Sequence, residues 1–219
     1  MPESAYENYL HAEKILSFQK KDDELIVDGE RDFQGVQQES EFIWTRINFL
    51  LKKTGKYIEN GDLNGATRLL EQAAALWSSL TAKVEELLWR LWPNDFMKIR
   101  KTIGSGSTSD SPRYRDSQRL AKSLWGPFID QLKRSSITVS QLLKMGDHDD
   151  MRALLKAMMW YDYRVQEFGI AHVYLVVGKI GDRTVGLKGG TTDYLIKRQG
   201  EFLFPELWDS INEIYQQPD

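Results

Sequence analysis

The chain has 219 residues, of which 41% are hydrophobic and 28% charged, the composition of a soluble domain with a substantial core. Its formal net charge of −3 creates no field that would draw duplex nucleic acid or an anionic membrane, so neither is an expected partner. With no cysteine there are no disulfides, thiolate metal sites or cysteine nucleophile.

The opening "MPESAYENYLHAEKIL" is polar and charged, unlike a secretory signal, and reads with the rest of residues 1–30 as an N-terminal arm. No apolar run approaches the ~20 residues that span a bilayer, so a cytoplasmic protein is expected. A first long helix is expected from Phe33 to Ile58, with the stripe Phe33, Val36, Ser40, Ile43, Trp44, Ile47, Leu50 and Leu51, ending at "ENGD". A second runs from Asp62, a suitable N-cap, to Trp92, where Pro93 forbids simple continuation. A shorter helix carries Phe96, Ile99 and Ile103. "GSGSTSDSP", residues 104–112, reads as loop. A helix from Ser117 to about Lys133, bent at Gly126–Pro127, and a short one over Val139–Met145 come next. The last strong helix starts near "GDHDD" and runs to about Gly178, its stripe being Leu154, Met158, Tyr161, Val165, Phe168, His172 and Leu175. The glycine-rich "GDRTVGLKGGTTDYL" then leads to a closing helix in "FPELWDSINEIY". There is no repeat and no alternating strand pattern, so the expected fold is all-α: a single domain, 1–219, forming a helical bundle with two Gly-rich loops.

His172 is the main chemical candidate. On an apolar helix face it is either a core histidine bonded to a neighbour or an axial ligand. One histidine cannot complete a four-ligand zinc site, whereas haem needs only one, because the porphyrin supplies the other four nitrogens. "DHDD", Asp147–Asp150, has poor metal spacing and lies where carboxylates complement a helix dipole, so it reads as capping. "GLKGGTT" lacks phosphate-loop spacing and suits a connector or a loop closing on a ligand. Arg100 and Arg115 flank the glycine/serine loop, either as surface charge or as grips for a carboxylate. Gln37 lies one turn after Phe33; its amide can hydrogen-bond but cannot act as a base.

In their order along the chain these segments resemble the tryptophan 2,3-dioxygenase superfamily of haem-dependent aromatic oxygenases. "AYENYLHAEKILSFQ" is similar to the family's Y-x-x-Y-L opening, and "FQGVQQESEFIW" to the helix crossing the distal haem face. "IRKTIGSGSTSDSPRYR" is similar to the arginine helix and serine-bearing loop over the substrate, and "FGIAHVYLVVGKIG" to the proximal histidine helix. "GGTTDYL" and "FPELWD" resemble the closing loop and terminal helix. Gln37 replaces the family's distal histidine, Phe168 and Gly169 stand where the family has W-R, and the insertion before the proximal helix is largely missing.

The resemblance implies a bundle enclosing a haem b pocket, with His172 as proximal iron ligand. Phe33 would pack on the substrate ring, Arg100 would pair with its carboxylate, and Gln37 and Ser107 would lie at the reacting centre. Gly189, Gly190 and Thr191 would close over the substrate's amino group. Tyr6 and Tyr9 would enter a neighbouring subunit's pocket, implying a homo-oligomer, dimer or tetramer. The implied activity is oxygen insertion from O2 into the indole ring of tryptophan or a derivative. Its rivals are a monooxygenase or hydroxylase of an aromatic amino acid, a non-catalytic haem sensor, and a helical binding protein.

Overall fold

The computed structural model describes residues 4–104, 106–144, 146–185 and 201–216. Among them the chain is all-α, as expected. The helices are α1 (Ala5–Leu10), α2 (Ala12–Leu16), α3 (Gly29–Glu59), α4 (Leu63–Arg90), α5 (Pro93–Ile103), α6 (Pro112–Lys122), α7 (Trp125–Arg134), α8 (Val139–Lys144), α9 (Asp149–Ile180) and α10 (Pro205–Gln216).

Three long helices form a layer with α4 in the middle, packed on one flank by α3 and on the other by α9. The α3–α4 reversal takes three residues, Asn60, Gly61 and Asp62, and Gly61 adopts the left-handed φ of 78° that a side chain would oppose. Asp62 caps α4 by accepting from the Gly65 N–H at 2.8 Å. A methyl at position 65 would lie 2.4 Å from the Tyr57 ring, so glycine is required where the two helices meet. Lys83 Nζ lies 2.9 Å from the Glu39 carboxylate and fixes the antiparallel register. α9 runs parallel to α4: Trp77 stacks against Phe168 at 5.1 Å between centroids, and further along Lys179 Nζ donates to the Leu88 carbonyl at 2.7 Å. A methyl on Gly178 would come 2.8 Å from Leu88 Cδ1, so the two helices are closely apposed there.

The inner face of the layer carries the core. Trp44, Ile47 and Leu51 of α3, Leu70, Trp77 and Leu80 of α4, and Leu154, Met158 and Tyr161 of α9 are buried together with Phe128, Leu132, Phe204 and Leu207. The indole N–H of Trp77 donates to the Tyr161 hydroxyl at 2.9 Å, which supplies a partner for a buried donor.

Several boundaries differ from the sequence reading. Residues 117–133 form two helices rather than one bent helix, and the break falls at Ser123–Leu124. Pro127 sits in the first turn of α7, where no intrahelical N–H is required, so Gly126–Pro127 does not bend the chain. α6 begins five residues early, at Pro112, because Ser111 caps it by accepting from the Tyr114 N–H. α9 continues two residues past Gly178, to Ile180, and stops at Gly181. The 1–30 arm is partly tethered: Glu30 accepts from Lys20 Nζ at 2.6 Å and from the Ile26 N–H at 2.8 Å, holding residues 20–30 along α3.

Candidate functional site

The core is tight around α3 residues 44–58 and α9 residues 151–161, and it loosens toward one end of the layer. There Phe33 and Gln37 on α3, and Val165, His172 and Leu175 on α9, are only partly buried. The Glu39–Lys83 and Trp77–Phe168 contacts place Gln37 and His172 level with the same stretch of α4, residues 81–85. α5 touches both α3 and α9 and therefore bridges the two flanks at this end.

His172 is set by α9 four residues after the buried Phe168, and the two rings lie 6.3 Å apart at an interplanar angle of 23°. His172 lies on the same α9 stripe as the buried Tyr161 and Phe168, and some of the residue's surface remains accessible. Its imidazole is nevertheless desolvated: burial among apolar groups pushes its pKa below the ordinary histidine value. Among the described residues the ring makes no hydrogen bond.

Phe33 meets Phe96 of α5 at 6.0 Å with a tilt of 56°, and Arg100 follows Phe96 by one turn. The Arg100 guanidinium donates to the Val185 carbonyl at 2.9 Å, which ties α5 to the segment after α9. Gln37 accepts at Oε1 from the Thr108 hydroxyl at 3.3 Å, which joins α3 to the glycine/serine loop. Ser107 caps a 3-10 turn over Thr108–Asp110, its hydroxyl within 3.1 Å of Ser109 Oγ and its N–H donating to Asp110. The loop group that meets Gln37 is thus Thr108, one residue after the serine singled out by the sequence. Phe96 was equally unforeseen as a site residue. Its signal was the four-residue spacing to Arg100, which puts ring and guanidinium on one helix face.

Arg115 lies inside α6 and donates to the Asp110 carbonyl, so it braces the loop. Asp149 and Asp150 occupy the first turn of α9, where carboxylates complement the helix dipole, while the N-cap itself is His148, which makes no side-chain cap bond. Gly189, Gly190 and Thr191 lie outside the described residues. Tyr6 and Tyr9 are 70% and 84% exposed on α1.

Among the described residues no group of three or more His, Asp or Glu side chains could hold a bare metal ion. An imidazole that makes no hydrogen bond among the described residues, one turn from the buried Phe168 ring, is the donor type taken by a group that needs a single protein ligand. Haem is such a group. No family model and no curated protein matches the chain. No described helix is long and apolar enough to cross a membrane.

Proposed function

We propose that the protein is a haem-dependent oxygenase acting on tryptophan or a tryptophan derivative, with His172 as the axial ligand to the iron of haem b. The observation that carries this reading is the desolvated imidazole of His172, which makes no hydrogen bond among the described residues and lies level with Gln37 where both residues are only partly buried. Haem, when bound, supplies the activation of dioxygen. The protein's own residues bind and orient. Arg100 holds the substrate carboxylate, a charge-assisted contact of about 1.5–3 kcal/mol. The tilted Phe33–Phe96 pair offers an aromatic wall for the indole. Thr108 fixes the oxygen of the Gln37 amide, leaving its N–H groups to meet the substrate. On this reading the exposed Tyr6 and Tyr9 belong to a neighbouring subunit's pocket in a homo-oligomer.

The test is an absorbance spectrum of the ferrous protein with and without L-tryptophan, beside that of His172→Ala. A histidine-type haem spectrum that shifts on adding the amino acid and is lost in the variant is the expected result. Normal haem content in His172→Ala defeats the assignment.

A second reading, hydroxylation of an aromatic amino acid, is favoured by Gln37, whose amide cannot take up a proton. Labelled dioxygen separates the two: two labelled oxygens in the product mark a dioxygenase, one a hydroxylase.

A further inference from the structure

Three buried side-chain atoms where α3 meets α6 make no hydrogen bond among the described residues: Trp44 Nε1, Asn48 Oδ1 and Gln118 Nε2. Buried polar groups of a folded chain are normally paired with protein or with ordered water, so three such atoms on facing helices need a common explanation.

The two helices run parallel. Gln37 meets Thr108 ahead of α6, the Trp44 and Tyr114 rings meet in its first turn at 5.5 Å between centroids, and a methyl on Gly55 would lie 3.6 Å from Leu124 just past its end. Asn48 follows Trp44 by one turn, and Gln118 follows Tyr114 by one turn, so the two amides stand at the same level on neighbouring helices. Asn48 donates through Nδ2 to the Arg113 carbonyl at 3.0 Å, which fixes the direction of its amide and leaves Oδ1 as the unpaired atom. Trp44 and Asn48 are 2% and 8% exposed, and Ser117 and Ala121, beside Gln118 on α6, are wholly buried. Bulk solvent therefore does not serve these atoms.

Two of the three are N–H donors and one is a carbonyl oxygen. A ligand that satisfies them all must accept two hydrogen bonds and donate one. A halide can accept but has nothing to give Asn48 Oδ1. A metal cation suits that oxygen but is repelled by both N–H dipoles. Water does both, and about three polar partners is the usual number for a buried molecule.

We propose that α3 and α6 enclose a binding site for one ordered water molecule, held by Trp44 Nε1, Asn48 Oδ1 and Gln118 Nε2. The site does not depend on haem. It ties the first half of α6 to α3, and Ser111, the cap of α6, ends the loop whose Thr108 meets Gln37. The water thereby positions that loop.

A crystal structure of the full chain tests the site directly: an oxygen should lie within ~2.7–3.2 Å of all three atoms. In solution the Trp44 indole N–H, identified by its loss in Trp44→Phe, should show a nuclear Overhauser contact to a long-lived water. Gln118→Met keeps the side chain's length and removes the donor. With helical circular dichroism unchanged, it should speed deuterium exchange of that N–H about tenfold and hasten proteolytic cleavage within residues 106–111. The proposal is overturned by density in which Gln118 Nε2 bonds directly to Asn48 Oδ1 with nothing between, by a Trp44 indole without a water contact, or by unaltered exchange in Gln118→Met. Cleavage at the wild-type rate in that variant overturns the positioning of the loop.

Discussion

The carboxylate of Asp162 accepts a hydrogen bond from the Trp208 indole N–H at 2.9 Å, and from the Leu203 backbone N–H at 3.1 Å. Asp162 is wholly buried, so this one side chain fastens the C-terminal segment to the middle of α9. Asp162→Asn puts an amide N–H2 among donors and leaves one of them unsatisfied. The expected loss is about 2 kcal/mol, read as a lower urea midpoint. Faster proteolytic cleavage between residues 203 and 216 should accompany it, while the α3–α4 pair stays protected.

Tyr161 and Trp77 make a second buried pair. Burial pushes the Tyr161 phenol above its usual range, so it stays protonated and serves as an acceptor for the indole. Tyr161→Phe keeps the ring and removes the acceptor, stranding a buried N–H at a cost of about 1–3 kcal/mol. Equilibrium unfolding monitored by tryptophan fluorescence measures it. A change below a few tenths of a kcal/mol would show that the bond contributes nothing net.

The depressed pKa of His172 makes stability depend on pH. An unfolded histidine binds its proton near pH ~6.5, and the native one does so only at lower pH. Between those values the unfolded chain holds more protons, so stability is full above about pH 6.5 and falls as pH drops toward the native value. Urea unfolding of haem-free protein at pH 7 and pH 5.5 should show the loss, and His172→Gln should lose less over the same interval.

Arg100 tests the proposed substrate contact. If the guanidinium holds a carboxylate, Arg100→Ala should weaken L-tryptophan binding by about tenfold or more, in line with ~1.5–3 kcal/mol for a charge-assisted bond. Binding of tryptamine, which has no carboxylate, should change little. Equal weakening of both would assign Arg100 to holding Val185 alone.

The long helices were legible in the sequence because each keeps one apolar stripe over many turns and ends at a local stop. Asp62 and Pro93 bound α4 where the pattern says they should, and Gly181 stops α9 just past the expected end. The α6–α7 break was misplaced because proline is a breaker in a helix interior but not in a first turn, and periodicity alone does not say which applies. At the site, residue types on α3, α5 and α9 could be read from spacing, whereas Thr108 meeting Gln37 joins residues 71 apart. Asp162 went unnoticed for the same reason: its partners lie 41 and 46 residues away, and a single aspartate in a helix carries no local sign of burial.

The three-residue turn at Gly61 bears on how the chain folds. It lets α3 and α4 pair as soon as both have left the ribosome, through contacts between near neighbours in sequence. α9 is different: the Trp77–Tyr161 bond spans 84 residues, so that strut closes only after the intervening helices exist. The helix bearing His172 is therefore the last large piece to seat, on a hairpin already formed to receive it.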